Sequence, residues 1–443
     1  MSASEDTGPS RGRLKRLLII TYYWPPSGGA GVQRWLKFAK YLPQFGWQPV
    51  VYTPSDPERP QVDGSLMADV PPEAELITRP IWEPYDTYRS LLGKKEKITA
   101  GFLSEDGPKN WKDNFAAWVR GNLFIPDART FWVGPSVRYL REYLKEHPVD
   151  AIATTGPPHS MHLIGMRLKS ETGLPWIADF RDPWTNIDFY HELRLTALAD
   201  RIHRSLERKV LARADVVLTV GHTLGEELRQ LGAKKVEVIT NGYDEADVAP
   251  ERERRAARFT LAHIGTFTPS RNCPEVWSAL SDLVRDDPDF TTDFRLLLVG
   301  SVDHSVRQSI LEAGLGPYLE LTGQVSHVEV LRLQRDADAL LLPINNTPNA
   351  KGILTGKLFE YLATGNPILA IGPTDGDVAR ILKETHTGRT LPYGDHRSVY
   401  HTLQQWQSSR YRPEPVGIDA FSRKGLTKRL VEVLNKEVTV GDR

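Results

Sequence analysis

Short apolar runs alternate along this chain with longer stretches in which apolar residues recur every three to four positions. That is the pattern of buried parallel strands joined by amphipathic helices. Leu17-Leu18-Ile19-Ile20 opens the series in a predicted strand at 17–21, and Val32, Trp35, Leu36, Ala39 and Leu42 follow at helical spacing up to a stop near Pro43. A second strand is expected at 49–52. Residues 55 to about 130 break the rhythm, being rich in proline, charge and aromatics such as Trp82, Trp111, Trp118, Phe124, Phe131 and Trp132. They read as an insertion into the first sheet. These aromatics could line a ligand groove or touch lipid headgroups, but a place in the core ranks first.

The rhythm returns with a helix over 137–144, a strand at 151–154, a helix over 162–169 and a strand at 176–180. A long charged helix at 193–212 carries Leu195, Leu198, Ile202, Leu206 and Val210 along one side. Strands at 216–220 and 236–240 follow, and 249–258, charged and nearly without apolar residues, is the best linker segment. A second series then runs through strands at 261–264, 295–299, 319–321, 339–342 and 367–371. The fold class expected is α/β, with two Rossmann-like domains facing across a cleft. The boundaries are 1–245 for the first domain, 246–258 for the linker and 259–412 for the second domain. A C-terminal helix in 413–443, amphipathic over 421–433, is expected to pack back on the first. In such sheets ligands bind at the carboxyl ends of the strands, so the cleft between the domains is the expected site.

Composition narrows the function classes. A length of 443 residues suits two or three domains. The 56 basic and 56 acidic side chains cancel, so no global field draws in nucleic acid. The small basic cluster of Arg11, Arg13, Lys15 and Arg16 could meet a membrane surface, but it reads as a solvated tail. Cys273 is the single cysteine, which excludes an intramolecular disulfide, disfavours a cysteine-built metal site and fits a reducing compartment. No apolar run approaches the ~20 residues of a bilayer span, and 17–20 lacks the length and cleavage chemistry of a signal peptide. A soluble cytoplasmic protein is expected, with membrane contact confined to the periphery of the inner face.

Two segments carry chemistry. Thr355-Gly356-Lys357-Leu358-Phe359-Glu360 opens a helix that Gly365 stops before a buried strand. Free N–H groups at a helix start beside a lysine form a seat for phosphate, and a carboxylate one turn on can accept two ribose hydroxyls. The other segment, Pro25-Pro26-Ser27-Gly28-Gly29-Ala30-Gly31-Val32-Gln33-Arg34, lies between the first strand and its helix. Gly28, Gly29 and Gly31 let backbone approach an acceptor or a phosphate, or merely make a tight turn. Arg34 stands where the third glycine of a dinucleotide fingerprint belongs, which disfavours a dehydrogenase.

With these segments the chain resembles the group 1 (family 4) glycosyltransferases, which have the GT-B fold. The resemblance extends through Thr240-Asn241-Gly242, Ile264-Gly265-Thr266, Leu298-Val299-Gly300 and Thr322-Gly323-Gln324-Val325-Ser326. It implies transfer of a sugar, with retention at the anomeric carbon and without a metal or other cofactor. A nucleotide-sugar donor in the second domain and a glycan or lipid-linked acceptor in the first would be the partners. Surface polysaccharide or glycolipid synthesis is the implied setting. Glu360 matches the second glutamate of the family's E-x7-E motif, which holds the donor ribose. The first glutamate would stand at Gly352 and is absent, and backbone groups near Leu354, Thr355 and Gly356 could replace part of it. Val325 joins these as a donor contact. Lys357 and Arg271 match the cations placed against the donor diphosphate, where they would stabilise the leaving group.

In the first domain His159, in Gly156-Pro157-Pro158-His159-Ser160, could bond a sugar hydroxyl or the attacking acceptor, or simply cap a helix. Arg181 and Asp182, after the strand at 176–180, could orient the acceptor hydroxyl or form a loop ion pair. Asp375 and Asp377 read as a turn that caps the next helix. Two other readings stand beside the transferase: a sugar-nucleotide 2-epimerase of the same fold, and a catalytically silent nucleotide-sugar-binding partner, which Gly352 favours.

Overall fold

The computed structural model describes residues 13–59, 62–83, 118–247 and 258–441. They fall into two compact units. The first takes in the described residues of Met1–Thr219, Leu228–Glu237 and Thr427–Arg443, and the second Val220–Glu227 and Val238–Leu426.

The first unit is built on a seven-stranded sheet, β1 (Lys15–Ile20), β2 (Trp47–Pro54), β3 (Glu75–Arg79), β4 (Ala151–Gly156), β5 (Trp176–Phe180), β6 (Val216–Thr219) and β7 (Val236–Val238). Its spatial order is β3-β2-β1-β4-β5-β6-β7, and the pairings from β3 to β6 are parallel. Helices α1 (Ala30–Tyr41), α2 (Thr130–Glu146), α3 (Ser160–Thr172) and α4 (Ala197–Arg213) belong to this unit, while α5 (His222–Gln230) is divided, with His222–Glu227 in the second unit. Leu17 to Ile20 are wholly buried, as a central parallel strand covered on both faces must be. The order reverses between β1 and β4, so the loops after those strands flank the switch point where such sheets bind ligands.

The second sheet holds β8 (Phe259–Ile264), β9 (Phe294–Val299), β10 (Leu319–Thr322), β11 (Ala339–Pro343), β12 (Ile368–Ile371) and β13 (Gly388–Leu391), in the order β10-β9-β8-β11-β12-β13 and all parallel. Its helices are α6 (Pro274–Asp286), α7 (Pro288–Asp293), α8 (His304–Glu312), α9 (His327–Asp336), α10 (Gly356–Thr364), α11 (Asp377–Thr385) and α12 (His396–Ser408). One apolar cluster packs on each face, around Trp277 and Leu280 on one side and Leu358 and Leu362 on the other. Here the switch point lies between β8 and β11. The last helix, α13 (Arg423–Gly441), is divided at Leu426/Thr427, its first residues counted with this unit and the rest with the first. Within the first unit Lys15 Nζ donates to Asn435 Oδ1 at 3.0 Å.

The structure departs from the sequence pattern in particular places. The supposed insertion begins with a strand, β3, in which only Ile77 is buried, and β13 is likewise an edge strand without an apolar run. An edge strand buries so little that no hydrophobic pattern marks it. In α4 the expected apolar side is largely outside: Leu198 and Ile202 are exposed, while His203 and Glu207 are buried. The polar groups face inward because each has a partner: Trp184 Nε1 donates to His203 Nδ1 at 3.2 Å, and Thr185 Oγ1 donates to Glu207 at 2.6 Å.

The aromatics of 55–130 divide. Trp132 is buried and stacks on Tyr52 with ring centres 4.9 Å apart, whereas Trp82, Trp118 and Phe131 are exposed. Trp111 and most of the linker lie outside the described residues, as does Arg11. Lys15 and Arg16 are no tail, since they belong to β1, where the Arg16 amide donates to Asp150 at 2.6 Å.

Candidate functional site

The second unit gathers its cations at the switch point. Gly265 ends β8 with φ of +120°, and a β carbon there would meet Lys357 Cε at 2.4 Å, so only glycine lets the lysine cross the strand end. Lys357 Nζ donates to the Thr266 carbonyl at 3.2 Å, and Arg271 Nη1 points to the same oxygen at 3.4 Å. Arg271 Nε also donates to Asn345 Oδ1 at 2.7 Å, in the loop after β11. Both switch-point loops therefore hold the guanidinium. Two cations thus converge on one neutral carbonyl, with Glu360 the carboxylate that acts on the lysine.

Burial above all, then repulsion from Arg271, depresses the Lys357 pKa to about 8, with Glu360 working the other way. Burial likewise lowers Arg271. His263, wholly buried in β8, explains how the lysine is tolerated. Its Nδ1 is 3.0 Å from the Leu341 carbonyl and must donate, which leaves the Nε2 lone pair facing Lys357 Nζ at 3.3 Å. Burial foremost, then Lys357, pushes this histidine down to about 3, so it adds no third charge.

Lys357 stands in the first turn of α10. The N-cap Thr355 has extended backbone and makes no side-chain cap; its Oγ1 is buried without a partner. The first N–H groups of α10, at Gly356 and Lys357, have no intrahelical acceptor. Glu360 follows one turn on, half-buried, and accepts from Gln334 Nε2 at 2.8 Å. Val325 and Leu354 pack, half-buried, on the apolar cluster beneath. Arg271, Lys357, Thr355, Gly356 and Glu360 thus share one end of one sheet.

Gly352 lies against Thr223: a β carbon at 352 would be 3.3 Å from both Thr223 Cβ and Cγ2. Asp377 does not cap its own helix, whose N-cap is Gly376. Its buried carboxylate accepts from the Thr223 amide at 3.1 Å and so caps α5, while Asp375 pairs with Lys351 at 2.6 Å. An anion favours either helix start, and α5 offers the unsatisfied amide.

In the first unit Gly29, with φ of +91°, is the N-cap of α1, and a β carbon on Gly31 would lie 2.7 Å from Arg181 Nη1. The glycine loop and Arg181 are therefore together. Arg181 also donates to the Gly156 and Pro157 carbonyls, not to Asp182, whose side chain is exposed. His159 stands at the start of α3, nine-tenths buried and stacked on Trp184 at 4.8 Å between ring centres. The next residue is clamped, since Asp127 accepts from the Ser160 amide at 2.9 Å and hydroxyl at 2.8 Å. Arg34 is wholly buried against Asp179, which also accepts from Trp35 Nε1 at 2.7 Å and Thr155 Oγ1 at 3.0 Å.

The pattern reading passed over His263, Gln334, Asn345 and Asp179. His263 and Asp179 sit inside buried strands and Asn345 just beyond one, where a polar residue was the available signal, whereas Gln334 lies in α9 and carried none. Among the described residues no cluster of three or more His, Cys, Asp or Glu is placed to hold a metal ion, and no helix is long and apolar enough to cross a membrane.

Known proteins share this fold. Residues 28–242 match the family model of the glycosyl transferase 4-like domain. A Bacillus subtilis protein named as a teichuronic acid biosynthesis glycosyltransferase, TuaH, is 24% identical over 203 residues, 44% of this chain and 49% of its own. Mycobacterium tuberculosis glycogen synthase is 25% identical over 184 residues, 39% of this chain and 41% of its own. The matches thus span about half or less of these relatives' length. Among solved structures, sucrose-phosphate synthase from Thermosynechococcus elongatus superposes with a TM-score of 0.59 at 14% identity, covering 96% of this chain and 100% of that one. An Anabaena protein, HepE, in complex with UDP-glucose, superposes with a TM-score of 0.56 at 13% identity, covering 95% and 100%. The fold is that of the GT-B glycosyltransferases, and residues 28–242 match the family model of the glycosyl transferase 4-like domain.

Proposed function

We propose that this protein is a retaining glycosyltransferase, moving a sugar from a nucleotide-sugar donor to a glycan or lipid-linked acceptor in surface polysaccharide or glycolipid synthesis. One observation carries the reading: Lys357 and Arg271 converge on the Thr266 carbonyl at the start of α10, with Glu360 one turn beyond. The donor diphosphate lies against the two cations and the free N–H groups of Gly356 and Lys357, and the ribose hydroxyls donate to Glu360. Cleavage of the sugar–phosphate bond builds negative charge on the leaving diphosphate, and preorganised cations of this kind are worth ~3 kcal/mol each in a transition state. They act without a metal. Leu354, Thr355 and Val325 line the donor side.

The first unit takes the acceptor. Gly28, Gly29 and Gly31 with Arg181 form its loop, Asp182 orients the acceptor hydroxyl, and His159 bonds a sugar or acceptor hydroxyl. The hydroxyl attacks from the face that the diphosphate leaves. The names of the relatives, which concern teichuronic acid, glycogen and sucrose phosphate, support a carbohydrate product. UDP-glucose, bound by HepE, is the first donor to try. Membrane contact is peripheral, at the cytoplasmic face.

The test is nucleotide release from a panel of nucleotide sugars, each with and without candidate acceptors. Release that needs both supports transfer, and Lys357→Ala lowers it far more than it lowers the melting temperature. A second reading has one specific support, Gly352 in place of the first motif glutamate. If donors bind, Glu360→Ala strongly weakens that binding, and no acceptor yields turnover, the chain is instead a silent nucleotide-sugar-binding partner.

A further inference from the structure

Two buried histidines of the first unit leave complementary nitrogens without a protein partner, side by side at the end of β4. The first is fixed by a relay. Trp176 Nε1 can only donate and lies 2.9 Å from Thr154 Oγ1. That hydroxyl is left to send its single proton to His162 Nδ1, also 2.9 Å away. Nδ1 is therefore an acceptor, and the proton of the neutral ring sits on Nε2. His162 is wholly buried and stacked on Phe180 at 4.5 Å between ring centres, and its Nε2–H has no partner. Burial first, then Arg181, pushes its pKa down to about 3, so the ring stays neutral.

His159 presents the converse. Its Nδ1 is buried without a partner. With the proton on Nε2, the ring presents the Nδ1 lone pair. Both unpartnered nitrogens crowd the same side of Gly156, where a β carbon would lie 2.6 Å from His162 Nε2 and 3.0 Å from His159 Nδ1. They are thus close enough for one oxygen at hydrogen-bond distance to reach both.

We propose that the end of β4 is a receptor for a single hydroxyl-bearing oxygen, which accepts from His162 Nε2–H and donates to His159 Nδ1. The donor–acceptor pairing selects the class. A phosphate or carboxylate needs donors from both rings, an ammonium needs acceptors from both, and a metal ion needs both lone pairs. Water and a carbohydrate hydroxyl both satisfy it. His162 is then a positioning residue: it fixes the oxygen that holds the one free lone pair of His159. The carbohydrate source rests on the glycosyl-transfer reading and the water source does not, so the two fail separately.

The experiment is a high-resolution crystal structure of the full chain, free and soaked with UDP-glucose, together with long-range 1H–15N NMR of the histidine rings. Expected are one ordered oxygen within hydrogen-bond distance of both nitrogens and the Nε2–H tautomer on both rings. An oxygen that persists as water in the soaked crystal identifies water. Replacement by a sugar hydroxyl identifies carbohydrate. His162→Phe, which keeps the stack on Phe180, loses the ordered oxygen, and His162→Gln, which restores an N–H near Nε2, regains it. An Nδ1–H tautomer on His162, or no shared oxygen in either crystal, overturns the proposal, and the NMR on the unmutated protein decides even where a variant fails to fold.

Discussion

Lys357 Nζ lies 3.3 Å from His263 Nε2, and the imidazole meets it as a lone pair, not as a second cation. The histidine is locked in that tautomer by the Leu341 carbonyl and kept neutral by burial. The lysine keeps its charge in a half-buried place because a neutral acceptor and a backbone carbonyl solvate it.

Replacing His263 with Phe keeps the volume and removes that acceptor. Affinity for a nucleoside diphosphate should fall roughly tenfold, near the lower end of the ~1.5–3 kcal/mol of a hydrogen bond to a charged group. Isothermal titration of the variant checks this, and unchanged affinity would show that Lys357 is held in place by Thr266 alone.

The lysine's depressed pKa, about 8, gives opposite pH trends for binding and stability. Diphosphate binding needs the ammonium, so affinity should fall as pH rises through about 8. The unfolded chain binds the proton more tightly, up to ~10.4. Between the two values it carries more protons than the native state, so this group's contribution to stability rises with pH in that window. Lys357→Met should flatten both trends. A binding profile that keeps its fall above pH 8 in that variant would assign the titration elsewhere.

Gln334 is buried and donates to Glu360 at 2.8 Å, which orients the carboxylate. Gln334→Leu should weaken nucleotide binding several-fold in the native background and not at all in Glu360→Ala. A double-mutant cycle measures the coupling; additive losses would place Gln334 outside the ribose contact.

Arg34 and Asp179 are both wholly buried. Removing one charge strands the other, so Arg34→Met should destabilise by ~3–5 kcal/mol. Pairing it with Asp179→Leu should recover part of that loss in urea unfolding. No recovery would mean that Trp35 and Thr155, not the arginine, set the worth of the carboxylate.

Gly352→Glu would restore the motif's missing carboxylate against Thr223, 3.3 Å from the new β carbon. Overpacking of this kind costs ~1–3 kcal/mol, and Thr223→Ser, which removes Cγ2, should relieve part of it. If the carboxylate then holds the donor sugar, turnover of the double variant rises above that of Thr223→Ser alone. Unchanged turnover would leave sugar recognition to other groups.

Much of this was legible along the chain because central strands and helix starts have local causes. Leu17 to Ile20 and Ile368 to Ile371 are apolar runs, and Leu261 to Ile264 is one but for His263, since parallel strands are covered on both faces. Lys357 and Glu360 announced themselves by their place after Thr355-Gly356. The edge strands β3 and β13 were silent for the opposite reason, since they bury almost nothing. The inward face of α4 was misleading because His203 and Glu207 are buried by partners distant in sequence.

The sequence by itself determined the alternation of strands and helices, the glycine turns and the residue types able to meet a nucleotide. Local sterics and hydrophobic periodicity act over a few residues, so one dimension suffices for them. Only the tertiary structure decided that Arg271 and Lys357 share the Thr266 carbonyl, that His263 faces the lysine as a lone pair, and that Arg34 is spent on Asp179. It also decided that His162 and His159 turn unpartnered nitrogens toward Gly156. These pairings join strands and loops far apart in the chain, and hydrogen-bond direction and burial exist only once the sheets have formed.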